Sequence, residues 1–196
     1  KNNLSIDGSA YLQTGKIANN SVSAHYFSAN LNYKINTNFN TSLGFEVLSG
    51  KDQNDISTDV KSFNPLYGTN HKFNGYMDYF YVGNHANSVG LNDIYVNFGY
   101  EKNKFFAKLT PHYFASAASI YNTGEKQDNY LGTEVDVTIG YKMYDYVTLE
   151  GGFSQMFASS SMEVLKAGNK NAGNSWAFLS VKINPNLFSF KAEAKQ

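Results

Sequence analysis

The feature that most constrains this chain is an alternation of apolar and polar side chains, two residues to the period, that recurs along its length. From Lys104 to Ala115, the residues Phe105, Ala107, Leu109, Pro111, Tyr113 and Ala115 fall on one face, and Lys104, Lys108, Thr110 and His112 fall on the other. A period of two is the signature of a strand with two different environments on its faces. The alternating segments cover residues 4–16, 22–36, 39–49, 91–101, 104–116, 130–142, 146–157 and 175–184. These are long against the usual strand of about five to six residues. They suit a tilted strand crossing a bilayer, which takes about nine to eleven residues.

The apolar rows are the stronger signal, because they carry no charge. They read Leu4, Ile6, Leu12; Phe27, Leu31, Ile35; Phe39, Leu43, Phe45, Val47; Ile94, Val96, Phe98; Leu131, Val135, Val137, Ile139; Val147, Leu149, Phe153; and Leu179, Val181, Ile183. The connections add a second pattern. Thr37-Asn38, Lys102-Asn103 and Met143–Asp145 have the Asn, Asp and Lys content of tight turns. Between them lie the long stretches Gly50–Gly90, Ala117–Asn129 and Ala158–Asn174. Short turns on one side and long loops on the other are the arrangement of an outer-membrane β-barrel, although the first connection, Ala18–Ser21, is short and falls on the loop side.

Composition fits that reading. Mean hydropathy is −0.42 and no apolar run approaches a spanning helix, which needs about 18 residues, but half of each barrel strand faces a polar interior. Cysteine is absent. Sixteen basic residues balance sixteen acidic ones, so no net field points to nucleic acid, and all the basic residues are lysine. The fold expected is all-β: an antiparallel transmembrane β-barrel with about eight strands in this chain. Residues 1–196 then form a single barrel domain or half-barrel, with residues 50–90 as a long aromatic extracellular loop.

That loop opens on a solvated stretch, Lys51 to Asp55, and then becomes aromatic with Phe63, Tyr67, Phe73, Tyr76, Tyr79, Phe80 and Tyr81. So many rings argue against disorder and for packing, as a lid or as a segment folded into the lumen. Met77–Val82 admits either a short strand or a helix. Tyr67, Phe73, Tyr76, Tyr79 and Tyr81 are candidates for gating or for stacking on sugar rings; packing of the loop explains them equally well.

Several strings resemble the alginate-export family, in its porin-like members from Bacteroidota. They are Phe63-Asn64-Pro65-Leu66-Tyr67-Gly68-Thr69, His71–Gly75, Met77–Phe80, Asn87–Leu91, Gly152–Phe157, Trp176–Phe178 and Ile183–Pro185. The resemblance runs from about Phe45 to Pro185. It implies a larger barrel of about 16–18 strands, of which this chain would be the C-terminal part, passing polysaccharide or other solutes. The exporter of that family is known for an arginine-rich conduit. With no arginine here, alginate specificity does not transfer.

The charged faces hold the candidate lumen residues: Lys34, Glu46, Lys108, His112, Glu134, Asp136, Lys142, Glu150 and Lys182, with Asp7, Asp93 and Lys104 beside them. No basic excess marks an anion pore. Two arrangements fit, a wide channel that keeps these groups in water and a closed eight-stranded barrel that pairs them into a plug. A third reading, a soluble carbohydrate-binding β-sandwich, rests on the tyrosine-rich loops. No cofactor or metal is expected: His25, His71, His85 and His112 are scattered, and Asp52, Asp55 and Asp59 lack an EF-hand pattern. Glu134 and Asp136 share a strand face without a nucleophile or catalytic motif, so no enzyme is expected. Expected partners are outer-membrane lipid and lipopolysaccharide, a polysaccharide or small solute, and other outer-membrane proteins. Expected localisation is the bacterial outer membrane.

Overall fold

The computed structural model describes residues 3–80, 85 and 88–189. Among the described residues the chain is mostly antiparallel β-strand, with one short helix traced end to end. In order it forms β1 (Leu4–Ile17), β2 (Asn20–Lys34), β3 (Phe39–Leu48), β4 (Leu91–Lys102), β5 (Phe105–Ala115), β6 (Tyr121–Asn122), β7 (Glu125–Lys126), β8 (Tyr130–Tyr144), β9 (Val147–Ala158), α1 (Ser160–Lys166) and β10 (Asn174–Ile183). The eight long strands make one antiparallel meander, β1-β2-β3-β4-β5-β8-β9-β10. The sheet does not close: β1 and β10 are its edges, and no pairing joins them among the described residues.

All eight expected strands form, within a few residues of the boundaries read from alternation. Tight turns set their registers. Ile17 pairs with Asn20, leaving Ala18-Asn19 as a two-residue turn with Ala18 at φ 54°. Lys102 pairs with Phe105 around Asn103 at φ 55°. At the β2–β3 turn the Asn36 side chain accepts hydrogen bonds from the amides of Asn38 (2.8 Å) and Phe39 (3.0 Å), the local bonding that suits Asn to turns. The long connections are less plain than the sequence suggests. Ala117–Asn129 contains the β6–β7 hairpin, and Ala158–Asn174 contains α1, whose N-cap Ser159 accepts from the Met162 amide. Met77–Phe80 forms turns rather than strand or helix; residues 81 and 82 lie outside the described residues.

Register places the charged side chains of these strands on one face, apart from Lys16 and Lys102 at strand ends. The opposite face is apolar and uncovered. Leu31, Leu43, Val137 and Leu149 are 41%, 50%, 37% and 37% exposed, so no second layer packs on them. Aromatic residues flank its aliphatic middle, with Phe39, Tyr100, Phe105 and Tyr141 toward the tight turns and Tyr113, Tyr130 and Phe157 toward the long connections. Among the described residues no helix is long and apolar enough to cross a membrane, which says nothing of crossing by strands.

One expected outward residue turns inward. Alternation puts Leu131 in the apolar row, yet it is fully buried on the polar side. The register between β5 and β8 shifts there: Phe114 pairs with Gly132 and Ala115 with Tyr130, which leaves Leu131 without a partner and reverses its side. Leu131 then joins Leu48, Phe80, Val89, Leu91, Phe114, Ile120, Met156 and Met162 in a core between the strand ends and the long connections.

Glycines on the polar face lie under rings from neighbouring strands. A Cβ on Gly44 would fall 2.1 Å from the Tyr95 ring, which lies across it to donate to Asn30 Oδ1 at 2.6 Å. Phe106 covers Gly140 and Phe178 covers Gly152 in the same way. Gly44→Ala is therefore expected to displace Tyr95 and cost about 1–3 kcal/mol. Gly168→Ala, with open space around it, should stay within about 0.5 kcal/mol. Denaturant unfolding in detergent micelles checks both.

Candidate functional site

The connection between β3 and β4 crosses the polar face. It leaves β3 at Ser49, whose hydroxyl takes the His25 amide and gives its proton to Lys61 O, both at 2.8 Å. Val60 bridges β2 in parallel through Ser21 O (2.8 Å) and the Ser23 amide (2.9 Å). Asn64 then docks on β1, where Gln13 both donates to its carbonyl (2.6 Å) and accepts from its amide (3.0 Å). His71 stacks on Trp176 of β10, with centroids 4.2 Å apart. The same segment thus touches both edge strands. The chain from residue 64 to residue 71 reaches at most about 25 Å, whereas eight strands laid flat span about 34 Å. The backbone of this segment alone is thus too short to bridge a flat sheet, and the side chains of Gln13, His71 and Trp176 extend its reach.

Residues 71–78 are held compact by their own bonds. His71 donates its amide to Asp78 Oδ1 (2.8 Å), and its Nδ1 faces Tyr76 O (2.8 Å) and Asp78 Oδ2 (3.0 Å). The tip of this turn meets a group of buried acids. Asn74 Nδ2 donates to Glu46 Oε2 and Asp93 Oδ2, both at 3.2 Å. The Tyr76 amide donates to Asp136 Oδ2 (3.2 Å) and the Met77 amide to Glu134 Oε1 (2.8 Å). Gly75 makes this approach: its φ is +84°, and a Cβ there would fall 2.6 Å from the Glu134 carboxyl group.

Beneath the turn, His112 lies between two carboxylates. Its Nδ1 is 2.9 Å from Asp93 Oδ1 and its Nε2 is 3.6 Å from Asp136 Oδ2. Asp93, Glu134 and Asp136 are essentially inaccessible. Among the described residues, Glu134 Oε2 and Asp136 Oδ1 have no hydrogen-bond partner. Carboxyl groups in such a place keep the hydrogen bonds they have because no water is there to replace them. The cluster therefore clamps the turn onto the sheet. Burial raises the Tyr76 and Tyr79 phenols above their usual range, which keeps both as neutral hydroxyls.

Of the expected lumen residues, Glu46, His112, Glu134 and Asp136 converge with Asp93 under the turn, and Lys108 lies near Asp136. Lys142 instead pairs with Glu101 at 2.5 Å and Lys182 with Glu150 at 2.8 Å. Lys34 is exposed beside the β2–β3 turn. Among the loop aromatics, Tyr76 and Tyr79 pack against the sheet, Phe73 is half-exposed, Tyr67 is 92% exposed, and Tyr81 lies outside the described residues. Among the described residues no group of three or more His, Asp or Glu side chains is placed to hold a metal ion. Sequence reasoning missed Asn74 and the amides of Tyr76 and Met77. The Asn74-Gly75 pair, a turn signal, was the available clue.

A second contact ties the return of the loop. His85 Nε2 bonds Gly90 O at 2.9 Å, and its Nδ1 faces Lys166 Nζ at 3.4 Å. Burial, aided by the Lys166 charge, lowers the imidazole to about 4; burial also lowers Lys166 to about 8. No family model matches this sequence, and no curated protein matches it.

Two outcomes are expected. Removing the acceptor with Glu134→Ala should free the Met77 amide at a local cost of about 1–3 kcal/mol, seen as lost hydrogen-exchange protection at Tyr76 and Met77. Glu134→Gln keeps the acceptor and most of the protection. The His85 contact should weaken in acid. The unfolded imidazole takes its proton near 6.5 and the folded one near 4, so stability is full above pH 6.5 and falls across that interval. Exchange of the Ala118 amide, bonded to Val89 O at 2.7 Å, should accelerate over the same interval after correction for intrinsic rates. His85→Gln should flatten the response.

Proposed function

We propose that this chain forms part of the wall of an outer-membrane β-barrel channel, and that residues 50–90 fold into the lumen as a constriction. One observation carries the reading: a sheet with an exposed outer face, uncharged but for Lys16 and Lys102 at strand ends, whose polar face is occupied by its own loop. An apolar face of this extent in water would be an association hazard, whereas in a bilayer it faces hydrocarbon. The aromatic rows at its two ends suit the membrane interfaces. The resemblance to the alginate-export family agrees with this reading.

The free edges of β1 and β10 favour a wall continued by further strands over a closed eight-stranded barrel. Exposure of Leu31, Leu43, Val137 and Leu149 speaks against a two-sheet sandwich. In the channel, the turns after β2, β4 and β8 face the periplasm, and the long connections, with the short Ala18-Asn19 turn beside them, face outward. Acids dominate the polar face beneath the loop, where Glu46, Asp93, Glu134 and Asp136 meet one histidine. Passage of small or uncharged solutes fits that lining better than passage of a polyanion. The function is passive, with membrane lipid and lipopolysaccharide as surroundings.

Leu179→Lys places a charge at the middle of β10 on the outer face and should cost about 2–4 kcal/mol in folding into vesicles. Ser180→Lys, one residue along and facing the lumen beside Glu150, should cost under about 1 kcal/mol. Equal costs would reject the assignment of faces. In planar bilayers the full-length protein should give discrete conductance steps, larger when Glu134→Ala loosens the constriction. Folded, inserted protein without channel events would reject the channel.

A further inference from the structure

A cavity of about 490 Å³ lies on the polar side, between β1, β2 and residues 63–74 of the crossing loop. Its volume is that of a small-molecule site, generally about 300–1,000 Å³. Aromatic rings build it. Tyr11 and Tyr26 are 5.6 Å apart between centroids, and Tyr26 and Phe63 are 5.5 Å apart. Tyr67 and Phe73 stand at the loop side, with Tyr67 almost wholly exposed and Phe73 half-exposed. Rings left uncovered beside a cavity are not explained by packing of the loop on the wall.

Polar groups lie among the rings, with the Ser9, Thr69 and tyrosine hydroxyls in the lining. Among the described residues, Glu46 is the only charged residue of the lining, and Asn74 and Gln13 bring amide groups. Asn74 is already committed to Glu46 and Asp93, and Gln13 to Asn64, so their positions are set before anything binds. Flat apolar faces next to fixed hydrogen-bonding groups suit a pyranose ring, which has C–H groups on its faces and hydroxyls around its edge. A fixed carboxyl group without a cation in the lining accepts hydroxyl protons and offers a uronate no counter-charge.

We infer that this cavity is a binding subsite for neutral saccharides, one to two sugar rings deep. The inference deepens the channel reading by naming the solute class of its lumen. The subsite lies beside the acid clamp under Asn74–Met77, so a bound sugar would rest against the constriction itself.

The test is calorimetric titration of the full-length folded protein in micelles, which does not depend on conductance. The probes are maltotetraose, cellotetraose and chitotetraose, against tetragalacturonate as the acidic counterpart. At least one neutral tetramer should bind, and at least tenfold more tightly than tetragalacturonate. Tyr67→Ala and Phe73→Ala, checked for unchanged strand content by circular dichroism, should each weaken binding fivefold or more. Glu46→Gln should narrow the preference against the acidic tetramer. Failure of every neutral probe to bind, tighter binding of tetragalacturonate, or binding indifferent to both ring substitutions would overturn the subsite. Conductance steps in protein that binds no sugar would overturn the subsite and leave the channel standing; sugar binding in protein that never conducts would do the reverse.

Discussion

The separation of charge between the two faces of one sheet is the constraint from which the rest follows. Along the strands, lysine and carboxylate side chains keep to a single side, and only Lys16 and Lys102, at strand ends, depart from it. A strand cannot rotate one residue out of register without moving its whole charged row to the other face. The penalty for such a slip holds eight strands in register even though nothing covers the apolar side. The same constraint puts all the chemistry on the polar side, where the long β3–β4 connection finds its partners.

The connection is anchored by the groups that most need partners. Asp93, Glu134 and Asp136 are buried, and their oxygens take donors from Asn74, Tyr76, Met77 and His112. Loop donors find their acceptors in the sheet carboxyl groups; separated under the loop, those donors would lack water. Gly75 permits the approach. At the other end of the crossing, stacking of His71 on Trp176 and the paired bonds of Gln13 to Asn64 fasten the loop to the two edge strands. What results is a pinned crossbar rather than a free flap, with an aromatic cavity on its β1 side.

Much of the fold was legible because period two is a local property. Val137 and Asp136 declare their faces from sequence alone, and Asn36 and Asn103 mark the turns. Leu131 was misread for an equally physical reason: the shift at Phe114/Ala115 comes from how two strands meet, and no single strand records it. The helix Ser160–Lys166 and the β6–β7 hairpin escaped notice because each is too short to show a period. The candidate site was half legible. Alternation put Glu46, His112, Glu134 and Asp136 on one face, but their convergence on Asn74 and Gly75 is a contact over a long sequence separation.

The sequence by itself determined which side of each strand is uncharged, where the chain reverses, and that the loop after β3 is too aromatic to be left in solvent. Those properties depend on neighbours one to four residues away. Only the tertiary structure decided that the loop crosses the polar face from edge to edge, that buried carboxyl groups hold it there, and that the eight strands leave both edges unpaired among the described residues. Those outcomes depend on distances between segments far apart in the chain, set by strand register.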